Sequence, residues 1–215
     1  WLKPDETAFE DNHFGTHEFM ELCRALDTEP YININFGPGS PDEAAAWVAY
    51  CNAPVGSPEG DARAANGHPE PFNVKLWGIG NETWGAYEGG FCARGRLYAR
   101  RYLAFLRAMK RADPDIRTVA VGANRMFPGW NRETLQTAGR SMDMLSLHEY
   151  APGINPLSPI FHAGLPQTEA AYYSLLAGAE MFAGSIHRMR RDIEAEFGPE
   201  AKLKIAFDEW NAWWA

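Results

Sequence analysis

Apolar and polar positions along the chain alternate between two periods, and the alternation itself predicts the architecture. Residues 16–27 (THEFMELCRALD) place Phe19, Leu22, Cys23 and Leu26 at helical spacing behind a Thr cap, with Glu18 in the first turn, which predicts a helix. PYININFG (30–37) is rich in β-branched residues and ends on Gly-Pro-Gly, which predicts a strand. SPDEAAAWVAYC (40–51) opens with a Ser cap, Pro at the first helical position and two acids, which predicts a second helix. Residues 53–73 repeat Pro, Gly and Asn and are read as one long loop. Further strands are predicted at 74–80, 116–124, 142–150 and 203–211. A basic amphipathic helix is expected at 94–113, with Leu97, Tyr98, Tyr102, Phe105, Leu106 and Met109 on its apolar face. A short helix is expected near 132–138, a Pro-rich loop at 151–166, and one long helix from Tyr172 to Phe197.

Strand followed by helix, repeated throughout, implies parallel strands with helical crossovers, an α/β fold. Polar residues gather at the carboxyl ends of the strands: Asn35, Asn81 and Glu82, Asn124, His148 to Tyr150, and Asp208, Glu209 and Asn211. In a (β/α)8 barrel that end carries the catalytic residues. A doubly wound dinucleotide fold uses the same end with a Gly-rich turn. GIGNET supplies G-x-G but has Thr83 where the third glycine belongs, and no strand-end acid follows at the required distance, so that reading is rejected.

Glu82 and Glu209 share a setting. Each follows an apolar strand and each stands beside tryptophan, in GNETW and DEWNAWW. Taken singly, either fits a solvated acid or a helix cap. As a pair they fit retaining glycoside hydrolysis, in which one carboxylate attacks the anomeric carbon and the other protonates the leaving oxygen, the two groups standing about 5–5.5 Å apart. An apolar, Trp-lined site with a second carboxylate nearby is expected to keep the acid protonated near neutrality. The nucleophile must stay ionised, and Tyr150 and Asn211 are candidate hydrogen-bond donors to it.

Composition narrows the field. The 215 residues are 46% hydrophobic and 22% charged, an ordinary globular balance, and the net charge of −8 disfavours nucleic acid as a partner. No run is apolar or long enough to span a membrane. Cys23, Cys51 and Cys92 are odd in number and widely spaced, with no CxxC and no His pair at ligand spacing, so neither a disulfide framework nor a metal centre is expected, and a reducing compartment is inferred. Asn81-Glu82-Thr83 matches a glycosylation sequon, read here as chance because a glycan would block the proposed pocket.

These residues together resemble glycoside hydrolase family 51, the α-L-arabinofuranosidases. The likeness runs along nearly the whole chain, through NHFGTHEFMELCRALDTEPYININFGPGSPDEAAAWVAYCN, NGHPEPFNVKLWGIGNETWG, DMLSLHEY and KIAFDEWNAWW. The resemblance implies a (β/α)8 TIM-type barrel, incomplete here, with the five strands standing for the third to the seventh, and no second domain within residues 1–215. It implies Glu82 as acid/base, Glu209 as nucleophile and Asn81 on the sugar 2-hydroxyl, with His148 and Tyr150 in the pocket. Trp84 and Asn211 complete the expected substrate contacts. It further implies an arabinofuranoside substrate, no cofactor, a cytoplasmic location and a homo-oligomer in the full-length enzyme. The chain starts at Trp1 without Met and is expected to be a processed product or a fragment, poorly stable and weakly active or inactive alone. A β-glucanase or xylosidase on the same scaffold, or a non-catalytic carbohydrate-binding remnant, are the competing expectations.

Overall fold

The computed structural model describes residues 13–124, 126–127, 129–151 and 168–212. Its elements run α1 (Thr16–Ala25), β1 (Tyr31–Ile34), α2 (Pro41–Asn52), α3 (Pro58–Ala65), β2 (Leu76–Ile79), α4 (Gly95–Ala112), β3 (Arg117–Ala120), α5 (Trp130–Ala138), a 3-10 turn (Gly139–Ser141), β4 (Met144–Ala151), α6 (Glu169–Leu176), α7 (Gly178–Phe197) and β5 (Lys204–Ala212). The five strands form one sheet in the order β1-β2-β3-β4-β5, every neighbouring pair parallel. This is a half-barrel with helices over its outer face. Among the described residues no helix is long and apolar enough to cross a membrane.

Local chemistry explains most of the elements. Ser40 caps α2 by accepting from Glu43 N–H at 3.1 Å, with Pro41 at the first helical position. Helix α4 buries Tyr98, Tyr102, Phe105, Leu106 and Met109 and exposes Arg96, Arg100, Arg107 and Arg111, while half-buried Arg101 donates to the Phe36 and Gly37 carbonyls; Leu97, expected on the apolar stripe, is exposed. Leu22 and Leu26, expected on the apolar face of the first helix, are exposed as well. The core lies between sheet and helices, where Trp77, Ile79, Ala120, Leu145 and Leu147 are inaccessible or nearly so.

Two expectations change. The stretch 53–73 is not one loop, because α3 forms within it on the same Ser-Pro-acid start that opens α2: Ser57 Oγ accepts from Gly60 N–H at 3.1 Å. The surrounding Pro, Gly and Asn mask that signal in the sequence. The single helix expected from Tyr172 to Phe197 is two, α6 and α7, which meet at Ala177. At Gly178 the chain passes close to the end of β4, where an added Cβ would stand 2.4 Å from Ala151 Cβ. Cys23, Cys51 and Cys92 are free and buried. The Pro-rich loop expected at 151–166 lies almost wholly outside the described residues, as do Trp213 and Trp214.

Candidate active site

Three strands deliver the polar groups. Strand β2 gives way at Gly80, which takes φ +94°, and the chain turns so tightly that Glu82 itself adopts φ +42°. That left-handed backbone is costly for a residue with a Cβ and is found where a side chain must be aimed. It turns the Glu82 carboxylate toward β4, where His148 Nδ1 lies 2.9 Å from Glu82 Oε1.

Strand β5 contributes through an irregularity. In the β4–β5 register Leu147 faces Phe207 and His148 faces Glu209, so Asp208 is the extra residue of a β-bulge. In a regular strand neighbouring side chains point to opposite faces. Here both Asp208 and Glu209 reach the same imidazole: His148 Nε2 stands 3.4 Å from Asp208 Oδ1 and His148 Nδ1 stands 3.3 Å from Glu209 Oε2. The next residue, Trp210, returns to the outer side and packs on Phe182 and Phe207.

Two phenols complete the cluster. Tyr150 Oη donates to Glu209 Oε1, and Tyr87 Oη donates to Glu82 Oε2 at 2.7 Å. Burial and these carboxylates raise the pKa of both phenols, so each stays a donor. The imidazole is 8% exposed, and burial alone would lower its pKa. Hydrogen bonds to Asp208 and Glu82, with the charges of Glu209 and Asp208, outweigh burial and raise it to about 9. His148 is therefore an imidazolium at neutral pH.

The same contacts correct one expectation. Burial pushes the Glu82 carboxyl up, but hydrogen bonds from His148 and Tyr87 and the imidazolium charge prevail, and its pKa falls below the ordinary value. The cluster's proton resides on the imidazole rather than on Glu82.

The structure brings Glu82, His148 and Glu209 together, with one ligand-type atom of each within 4.8 Å of the others. A protonated imidazole offers no lone pair to a cation, so we assign this group to proton chemistry. Asn81 is exposed and lies near the Glu88 carboxyl, which it pulls down in pKa against the larger effect of burial and the neighbouring carboxylates. Asn211 is exposed, pairs with Tyr150 in register, and its Oδ1 accepts from Ala212 N–H at 2.8 Å; of the two expected donors to Glu209, Tyr150 is the one hydrogen-bonded to it among the described residues. Trp84 is buried: its Nε1–H donates to Gly122 O at 3.1 Å and its ring packs on Phe127. The aromatic surface beside Glu82 belongs instead to Tyr87, which stands edge-on against Trp84. Sequence reasoning missed Tyr87 and Tyr31, and set Asp208 at a strand end without giving it a role. Tyr87 carried a faint signal, an aromatic among the turn residues just after Glu82.

A family model described as "Alpha-L-arabinofuranosidase 1 domain" matches residues 3–155. The chain is 32% identical over 216 residues to a probable α-L-arabinofuranosidase C of Aspergillus fumigatus, covering 95% of this chain and 40% of that protein. It is 31% identical over 208 residues to an intracellular exo-α-L-arabinofuranosidase of Bacteroides ovatus, covering 96% and 39%. Among solved structures it is similar to the α-L-arabinofuranosidase of Thermotoga maritima in complex with arabinose (TM-score 0.80, 36% identity, 95% of this chain and 39% of that one). It is also similar to the family 51 arabinofuranosidase of Xanthomonas axonopodis pv. citri (TM-score 0.83, 31% identity, 96% and 41%). The chain thus spans about 40% of the length of the curated relatives it matches.

Proposed function

The chain belongs to the α-L-arabinofuranosidases of glycoside hydrolase family 51, and from that premise we propose that it supplies the catalytic pair of a retaining hydrolase that removes terminal α-L-arabinofuranosyl groups. Glu209 is the nucleophile. Glu82 is the acid, then the base. The observation that carries this reading is the approach of the Glu82 and Glu209 carboxylates to within 4.8 Å at neighbouring strand ends, the close spacing of a double displacement rather than the wider gap that an inverting enzyme keeps for water.

The proton path follows from the hydrogen bonds. His148 holds the proton on Nδ1, 2.9 Å from Glu82 Oε1. As the sugar enters, that proton passes to Glu82, which gives it to the glycosidic oxygen while Glu209 bonds to the anomeric carbon. The C–O bond breaks and the leaving group departs as an alcohol. Esterification removes the Glu209 charge. Glu82, again a carboxylate, takes a proton from water as the hydroxyl attacks the anomeric carbon and frees Glu209, and the proton returns to His148. Tyr150 holds Glu209 in position through its hydroxyl hydrogen bond. Asn81, exposed beside Glu82, is assigned to the sugar 2-hydroxyl.

The five strands are taken as the third to the seventh of the family barrel, and the complete protein as a cytoplasmic homo-oligomer. The test is made on the complete protein with aryl α-L-arabinofuranosides. Glu209→Ala is expected to abolish turnover. Glu82→Ala is expected to slow substrates with poor leaving groups most, with azide restoring activity on good ones. Wild-type rates in both variants would dispose of the proposal.

A further inference from the structure

The bulge in β5 does more than present Glu209. It turns Asp208 into the half-barrel, where its two oxygens serve different partners. Oδ1 faces His148 Nε2 at 3.4 Å, and Oδ2 accepts from Tyr31 Oη at 3.0 Å. Tyr31 stands on β1 and Asp208 on β5, at opposite ends of the strand order and 177 positions apart in the chain. The phenol reaches across because β2 carries Gly78 beneath it: a Cβ there would stand 2.8 Å from Tyr31 Oη and 2.5 Å from Asn33 Oδ1.

An imidazole held only at Nδ1 is free to flip about its last torsion, and the flip would exchange a nitrogen for a carbon in front of the glutamates. We propose that Asp208, clamped from the far edge by Tyr31, is the positioning residue that locks His148 with Nδ1–H shared between Glu82 and Glu209. Its effect on turnover rests on the glycosidase reading; its effect on the imidazole does not. His148 is faced by Glu82 from the loop after β2, with Tyr87 and Glu88 behind it, and by Asp208 and Glu209 from β5. Tyr150 of its own strand reaches Glu209, and Tyr31 of β1 acts through Asp208. Asp208 is the sole carboxylate among these on the Nε2 side of the ring. Neutralising it removes the anchor and one of three anions around the imidazolium.

The experiment compares Asp208→Asn and Tyr31→Phe with wild type in the complete protein. It follows the His148 imidazole by nitrogen NMR across pH, and the pH profile of kcat/KM on an aryl α-L-arabinofuranoside. Asp208→Asn is expected to move the His148 titration and the basic limb toward acid by about one unit or more, and to lower kcat more than it changes KM. Tyr31→Phe is expected to move both the same way by less. A His148 titration unchanged in folded Asp208→Asn overturns the proposal, and if that variant does not fold, an unchanged titration in Tyr31→Phe does so. Glu209→Ala, run alongside, separates the two readings. If it is active while Asp208→Asn still moves the imidazole, the glycosidase reading fails and the positioning role stands. If it is dead while Asp208→Asn behaves as wild type, the reverse holds.

Discussion

His148 Nδ1 lies 2.9 Å from Glu82 Oε1, a charge-assisted hydrogen bond between an imidazolium and a carboxylate. The proton of this bond is held on the imidazole, because the neighbouring carboxylates raise its pKa while the imidazolium lowers that of Glu82. The last mobile proton leaves near the value set for His148, about 9. The basic limb of kcat/KM is therefore expected near that pH, well above the range in which an isolated carboxylic acid would lose its proton. Replacing His148 with Asn is expected to bring the limb down by several units and to lower kcat/KM at neutral pH by roughly 10²-fold, about 2.7 kcal/mol of transition-state stabilisation. A profile with the same basic limb in wild type and variant would show that the proton comes from elsewhere.

Folding stability carries the same signature. The His148 pKa is raised from its ordinary value of 6.5 to about 9 in the fold, so its contribution is fully present below about 6.5 and is lost as the pH rises through 9. The shift corresponds to an amount on the order of 3 kcal/mol. Glu82 has the opposite sign: its pKa is lowered, so its contribution is present above the unfolded carboxylate value and disappears as the pH falls below it. Melting temperatures taken from pH 6 to 10 are expected to decline in the wild type and to decline less in His148→Gln, once each variant is referred to its own value at pH 6.

The alternation of strands and helices was legible because each element carries its own local signal: a Ser-Pro-acid start for α2, a β-branched run for β1, a basic amphipathic face for α4. The positions of Glu82, just after β2, and Glu209, in the second half of β5, were legible for a related reason, since a carboxylate that closes an apolar run falls toward the strand's carboxyl end. What escaped depends on pairing between distant segments. The inward turn of Asp208 exists only in the register of β5 against β4, and the partnership of Tyr31 with Asp208 only in the curvature of the sheet. The ionised state of Glu82 likewise follows from His148 and Tyr87, whose approach no local pattern encodes. Trp84 lies deeper than its place in the sequence suggests: an indole beside a strand-end carboxylate looks like an exposed platform, yet it is buried, bonded to Gly122 O, and stands behind Tyr87.

Arg63 is fully buried and acts as a clip. Its guanidinium donates to four backbone carbonyls, those of Tyr50, Ala53, His68 and Pro69, at 2.7, 2.7, 2.9 and 3.0 Å. These bonds tie the end of α2 to both flanks of α3. Lysine keeps the charge but not the planar fork. Arg63→Lys is expected to cost about 2–4 kcal/mol in urea unfolding, because buried carbonyls lose their donors. A midpoint within experimental scatter of wild type would mean that the segment 53–69 is held by other contacts.

Gly122, just beyond β3, links core packing to the site. A Cβ at this position would stand 2.1 Å from the Ser146 carbonyl oxygen, a backbone atom that cannot move without displacing β4. Its N–H donates to Ser146 Oγ at 3.2 Å and its carbonyl accepts from Trp84 Nε1 at 3.1 Å. Gly122→Ala must therefore separate β3 from β4 or shift the residue away from both partners. Overpacking of this kind costs about 1–3 kcal/mol. The displacement passes through Trp84 to Tyr87, which stands against it and donates to Glu82. The variant is expected to lose kcat/KM as well as stability, with the deficit persisting at temperatures far below its unfolding midpoint. A variant that is destabilised yet fully active when folded would show that the loop bearing Glu82 is positioned independently of the β3–β4 contact.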